Sequence, residues 1–349
     1  MATPQAWGAG GFSPEGQLTT FDKELLSRFR AATIYTRFGM QKKIPLRGGK
    51  SISFRRMEAI LGASYQINYS SLALNHSYVP NVSYASGPLA LTEGTPGTAI
   101  DATWTQVLCT VSQYGQWTKS TDVNEDQSID DVMGEATKNF SEAMTEAMDL
   151  VVRDVVLSGT NVQYASSATT RATVGSGMNL TLAELREASR TLRRYNAKPI
   201  SGEGGNKFVV ITHTDAMSDL GGDSNITNIW QYAGDRGMGS NQLFDTAFHD
   251  LPYGFRIFET SLARIYASLG LSGSDVYATM VLGEQFYGTV EFASMPAKVI
   301  HKPRGSSGVS DPLDQVSTVG WKASMGAAIL NENLGVRIEH GTTVSQIGA

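Results

Sequence analysis

Ser128–Gly159, SIDDVMGEATKNFSEAMTEAMDLVVRDVVLSG, is the stretch around which the chain is arranged. Its apolar residues (Ile129, Val132, Met133, Ala136, Phe140, Ala143, Met144, Ala147, Met148, Val151, Val152, Val155 and Val156) recur at steps of three and four, one stripe of an α-helix. Ser128 with Asp131 three places on predicts a capping box, and Gly159 a left-handed C-cap. Uninterrupted, the helix would run about 43 Å at ~1.5 Å per residue, longer than a small domain is wide. Other elements must therefore lie across it. The three methionines of the stripe, Met133, Met144 and Met148, fit adaptable core filler.

A chain of 349 residues can bury a large core in two or three subdomains. Cys109 is the only cysteine, so no intrachain disulfide forms, and its place in a strand predicts burial. The first residues hold no basic segment followed by an apolar run, and no stretch is apolar enough to span a bilayer. The expectation is a soluble protein made in a cytosol. Net charge is −5 but unevenly spread: residues 1–60 carry ten Lys or Arg against four acids, while 120–160 carry ten acids against Lys138 and Arg153. Overall acidity argues against a tight nucleic-acid groove.

Ahead of the helix the first twenty residues, rich in Gly, Pro, Ala and Thr, suggest an extended arm, followed by a short helix in TFDKELLSRFRAATIY. IPLRGGKSISFRRM predicts two strands around a Gly-Gly turn, opening a long two-stranded excursion suited to lying on another subunit. WTQVLCTVSQYGQW predicts strand, with Val107, Cys109 and Val111 on one face. Behind the helix, LTLAELREASRTLRRYNA predicts a second amphipathic helix with a Thr181/Glu184 capping box, and KFVVITH a buried central strand. GFRIFETS and VYATMVLGEQFYG predict strands, GTVEFASMPAKVIHKP one long bent strand, and the final block two strands and an exposed tail. The order is α+β, not alternating βαβ.

Chemistry-bearing motifs are incomplete. Arg47-Gly48-Gly49-Lys50-Ser51 ends like a phosphate loop, but Ile44 stands where the first Gly belongs and a strand follows. Asp122, Asn124 and Asp126 begin like a calcium loop, yet Gln127 and Met133 replace its Gly and Glu; acids at a helix start account for them better. The five histidines are scattered, and His213 with Asp215 and a distant Ser makes a weak triad candidate. No catalytic residue, metal site or cofactor is expected.

The order of parts resembles the major capsid proteins of tailed bacteriophages, the Hong Kong 97-type fold, closest to the podovirus-like branch. The arm and the excursion holding IPLRGGKSISFRR and LTEGTPGTA resemble its N-arm and E-loop; the helix ending DVVLSG resembles its spine helix. LTLAELREASRTLRRYNAKPI through YGFRIFET resembles its axial domain, and DPLDQVSTVGWKASMGAAILNENLGVRI its closing part. The resemblance implies an N-terminal arm over 1–43, E-loop 44–100, peripheral domain with spine helix 101–160, axial domain 161–285, and a return to the peripheral domain with the tail over 286–349. It implies a non-enzymatic subunit that assembles into the hexamers and pentamers of an icosahedral shell around the phage genome. The virion capsid would be its location and the host cytoplasm its place of synthesis. Implied partners are copies of itself, portal and scaffolding proteins, a decoration protein and weakly contacted double-stranded DNA, with no membrane. The charge split adds an expected intersubunit contact: Lys42, Lys43, Arg47, Lys50, Arg55 and Arg56 of one subunit against Asp130, Glu135, Glu142 and Glu146 of the next. An encapsulin-like nanocompartment and a soluble enzyme of unknown class are the alternatives.

Overall fold

A computed structural model describes residues 33–57, 93–94, 104–128, 131–201, 206–226, 250–251, 253–306 and 311–343. The described chain divides into two compact units, the smaller holding 116–142 and 299–321. In chain order the first elements are β1 (Met40–Ile44), β2 (Ser51–Met57), β3 (Trp104–Thr110), β4 (Ser112–Thr121), α1 (Asp122–Gln127) and α2 (Val132–Val156). There follow β5 (Val162–Tyr164), α3 (Leu182–Arg194), β6 (Phe208–Thr212), α4 (Thr214–Gly221), β7 (Asp250–Leu251), β8 (Phe255–Glu259) and β9 (Ile265–Tyr266). The last are β10 (Val276–Leu282), β11 (Tyr287–Phe292), β12 (Lys298–Lys302), β13 (Val316–Ile329) and β14 (Gly335–His340). The mixed composition is the α+β class that the element order predicts.

The larger unit is built on a mixed sheet of order β5-β14-β10-β6-β8-β7, with β9 also on β10. β6 and β10 are buried at every position because both parities of FVVIT and VYATMVL pack against something. On one face Phe208, Val210, Val281, Val336 and Ile338 meet Leu182, Leu185, Ala188 and Leu192 of α3. On the other, Val209, Ile211, Ala278, Met280 and Leu282 meet Val152 and Val156 of α2, with Ile34, Tyr35 and Tyr287. Each large aliphatic so enclosed contributes roughly 1.5–3 kcal/mol relative to exposure. Thr181 caps α3 by accepting the Glu184 amide at 3.5 Å, but the Glu184 carboxylate turns away to Gln163 and Ser166, so the expected box is half made.

The long helix is shorter than its apolar stripe. Asp131 caps it, accepting the Gly134 amide at 2.9 Å, so the first turn begins after Asp131 and not at Ser128. The acids before it form the separate turn of helix α1. At the other end Gly159 is not left-handed. The free carbonyls of Leu157 and Gly159 accept instead from the Arg337 guanidinium, the latter at 3.1 Å, which puts a cation at the negative end of the helix dipole. Arg337 is placed by the buried carboxylate of Glu339, which binds Arg171 through two bonds of 2.8 and 2.6 Å. Nε of Arg337 lies 2.9 Å from that carboxylate but is aimed off it, a charge contact without a hydrogen bond.

A second sheet has the order β1-β11-β13-β12, with β4 also on β13. Two expectations fail here. β1 and β2 do not pair around Gly48-Gly49: β1 runs parallel to β11, Met40 opposite Gly288, whereas β2 pairs antiparallel with β3, Ser51 opposite Thr110. Local turn chemistry yields to Ile44, whose burial beside Val290 requires the parallel partner. The stretch after Gly288 is not one bent strand but two, β11 and β12, broken by a turn in which the Met295 amide bonds Phe292. Cys109 is buried, and burial pushes its thiol pKa up. The helix expected over TFDKELLSRFRAATIY lies outside the described residues except at its end, where residues 33–35 are not helical but lead into a turn; most of the excursion up to residue 103 also lies outside them.

Candidate intersubunit surface

The two-stranded sheet β2–β3 has two faces of different fate. Strand parity sends Phe54 and Cys109 inward, into a cluster with Ile44, Val111 and Val290 and the half-buried Ile52. The other parity sets Met57 opposite Trp104, Arg55 opposite Gln106, and Ser53 opposite Leu108. Trp104 is 65% exposed, Leu108 64% and Met57 46%. Trp, Met and Arg side by side on an uncovered face are the composition of a protein–protein interface core. The sequence signal is WTQVLCT itself: Trp104 and Leu108 alternate with Val107 and Cys109, so this strand is apolar on both faces.

The basic residues singled out by sequence fall on and before this sheet. Lys43, Arg47, Lys50 and Arg55 are exposed, the middle two in the turn between β1 and β2. Lys42 is half-buried with Nζ 4.7 Å from the centroid of the Phe54 ring, and Arg56, also exposed, donates to the Leu330 carbonyl at 3.3 Å. Of the neighbouring pair, Arg55 is the one on the outward face.

Among the acids, Glu135 bonds Lys138 at 2.7 Å, Glu142 and Glu146 are half-buried, and Asp130 lies outside the described residues. The stripe beneath them is incompletely covered. No described residue from Val132 to Met148 is buried, whereas Asp149, Val152 and Val156 are. Met133, Met144 and Met148 are half-buried, Met148 against the core that holds Val152.

Asp149 was visible only as one more acid, yet it is fully buried. It accepts the amides of Ile34 at 3.1 Å and Thr36 at 2.8 Å, fixing the turn from which β1 leaves. The available signal was its position, three and seven residues before Val152 and Val156 on the covered stripe.

The fragments of chemical motifs have structural uses. Of the Arg47–Ser51 fragment, residues 47–50 form a turn, with Arg47 and Gly49 at φ of 65° and 84°, and Ser51 opens strand β2. Asp122 to Asp126 are helical, and no cluster of three or more His, Cys, Asp or Glu fit for a metal exists among the described residues. His213 Nδ1 accepts the Asp215 amide at 3.2 Å, and the other partner of Asp215 is the Tyr277 hydroxyl at 3.0 Å, not a serine. In the smaller unit a cavity of about 370 Å³ is flanked by Glu125, Asp131 and Arg304. These charges are already engaged: Arg304 donates to Glu125 at 2.7 Å, Ser317 bonds the same carboxylate, and Asp131 caps α2.

A family model described as phage capsid protein matches residues 104–338. Among solved structures, the cyanophage P-SCSP1u capsid superposes with a TM-score of 0.64 at 16% identity, covering 94% of both chains. The cyanophage Pam1 capsid gives 0.67 at 13% identity over 97% of this chain and 100% of that one. The capsid of Ralstonia phage GP4 gives 0.66 at 11% identity over the whole of both. No curated protein sequence matches the chain.

Proposed function

The chain belongs to the phage capsid protein family, and from that premise we propose that it is the repeating subunit whose hexamers and pentamers close an icosahedral shell around a phage genome. The role is structural and not catalytic. The nanocompartment alternative is not favoured, since the matching family is one of phage capsids. In this reading the arm is 1–43, the E-loop 44–100, the spine-helix part of the peripheral domain 101–160, the axial domain 161–285, and the closing segment 286–349. Synthesis in the host cytoplasm, portal, scaffolding and decoration proteins, and weak contact with packaged DNA belong to the same reading.

The observation that carries it is the outward face of β2–β3, where Trp104, Leu108 and Met57 are left to solvent beside Arg55. A patch of this kind on a folded chain marks a surface with a partner. Heterologous contacts between copies supply one, because they close into rings when the rotation permits. The acidic, half-covered front of α2 is the complementary surface: Arg55 and its basic neighbours lie over Glu135, Glu142 and Glu146 of the adjacent subunit. One exposed ion pair contributes only ~0–1 kcal/mol, so the lattice depends on repetition and on the apolar contacts beneath.

Charge reversal tests this. Arg55→Glu should lower the yield of closed particles in negative-stain images and sedimentation, and Glu142→Arg in the same chain should restore part of it. Particles of normal yield and unchanged salt tolerance from Arg55→Glu would refute the contact. Monodisperse monomer from the wild-type chain at high concentration would refute the shell itself.

A further inference from the structure

On the α3–α4 side, one end of the seven-stranded sheet is polar where the rest is apolar. Thr212 at the end of β6, Tyr277 and Thr279 on β10, and His340 on β14 share it, with Tyr277 and His340 paired in register. His340, Thr212 and Thr279 are fully buried. His340 Nε2 lies 2.9 Å from the Thr279 hydroxyl, which is 2.8 Å from the Thr212 hydroxyl, and His340 Nδ1 lies 2.7 Å from the Gly341 carbonyl.

These contacts fix the protons. A carbonyl only accepts, so Nδ1 carries the hydrogen and, in the neutral ring, Nε2 must accept. Thr279 therefore donates to His340, and Thr212 donates to Thr279. Residues 341–343, just beyond, are held by three bonds. The Gly341 amide bonds the Met178 carbonyl at 2.8 Å, the Thr343 amide bonds the Asp219 carboxylate of α4 at 2.9 Å, and the Thr343 hydroxyl bonds it too. The titratable groups facing His340 are Tyr277 from β10, its ring centroid 6.1 Å away, His213 at the head of α4, and Asp215 and Asp219 from α4. Glu339, its neighbour on β14, is taken up by Arg171 and Arg337, and the 175–179 loop brings no titratable side chain.

We propose that this end of the sheet is an acid-released latch. Proton uptake by His340 turns its Nε2 into a donor, forces the Thr279 and Thr212 hydroxyls to reverse, and places a charge in a closed sheet face. The strap at 340–343 then separates from α4 and from the 175–179 loop. Burial holds the His340 pKa down to about 4, against an ordinary value of 6.5. A folded-state pKa below the open-state value means that the closed latch is fully stable above about pH 6.5 and weakens as pH falls towards 4. Integrated over that window, the opening equilibrium rises roughly 100-fold between pH 7 and pH 4.

Hydrogen exchange on the full-length chain reads this directly at the Gly341 and Thr343 amides. Corrected for intrinsic exchange, their protection should drop by about two orders of magnitude from pH 7 to pH 4 in the wild type. In His340→Gln, whose amide can donate and accept but does not titrate, it should change by less than about threefold over the same range. An equal drop in both proteins, or none in the wild type, overturns the proposal. Should His340→Gln fail to fold, histidine-labelled NMR of the wild-type chain decides. The ring is expected to stay neutral below pH 5; titration near 6.5 with both amides still protected overturns the latch.

Discussion

Replacing Asp149 by Ala removes the acceptor of two backbone amides at the root of the arm. Ile34 is buried, so its orphaned N–H costs about 1–3 kcal/mol; Thr36 is half-buried, and water can take part of its loss, leaving about 1 kcal/mol. The sum is roughly 3 kcal/mol, equivalent to about 6–10 °C in Tm for a unit of a few hundred residues. Asp149→Asn keeps one carbonyl oxygen in place and should lose about half as much. Urea unfolding gives the total, and hydrogen exchange at the Ile34 and Thr36 amides localises it. β1 follows that turn and pairs with β11, so the loss should also lower the yield of assembled particles. If Asp149→Ala unfolds within about 0.5 kcal/mol of the wild type with both amides still protected, the carboxylate is not what fixes the arm root.

Two further predictions concern the smaller unit. A Cβ at Gly320 of β13 would stand 2.7 Å from both the Gln116 carbonyl and the Trp117 Cβ of β4, so Gly320→Ala must part the strands. Faster exchange along β4 should follow, and unchanged exchange would contradict the close approach. Ser317 first and then Arg304 hold the Glu125 carboxyl below its ordinary pKa, so this clasp is present above the usual carboxylate value and is lost as pH falls through the depressed one. Arg304→Gln should move the Glu125 titration upward in carboxyl NMR and bring the loss to higher pH; an unmoved midpoint would show that Arg304 does not hold the carboxyl down.

How much of this was legible can be followed residue by residue. The stripe from Val132 to Val156 announces its helix because a 3.6-residue period survives any tertiary context that covers one side. FVVIT and VYATMVL announce central strands because an unbroken apolar run is stable only between two covered faces. The ends were less legible. Ser128 and Gly159 are good capping residues, but Asp131 stands nearer the orphan amides, and Arg337 arrives from a strand 180 residues away in sequence. The Gly-Gly turn between Ile44 and Ser51 suggested a hairpin by the local rules of turns. Its strands separate because Ile44 gains more beside Val290 than beside its sequence neighbours.

By itself, the sequence determined what depends on nearest neighbours and composition: the periods of the helices and strands, the α+β order, the lack of an intrachain disulfide, and the segregation of positive and negative charge. The tertiary structure alone decided which strands pair, which carboxylates are buried, and which apolar face is left uncovered. Asp149, Glu339 and His340 look ordinary in one dimension because burial depends on residues more than a hundred positions away. The outward Trp104 and inward Cys109 are told apart only once β2–β3 has a core on one side and solvent on the other.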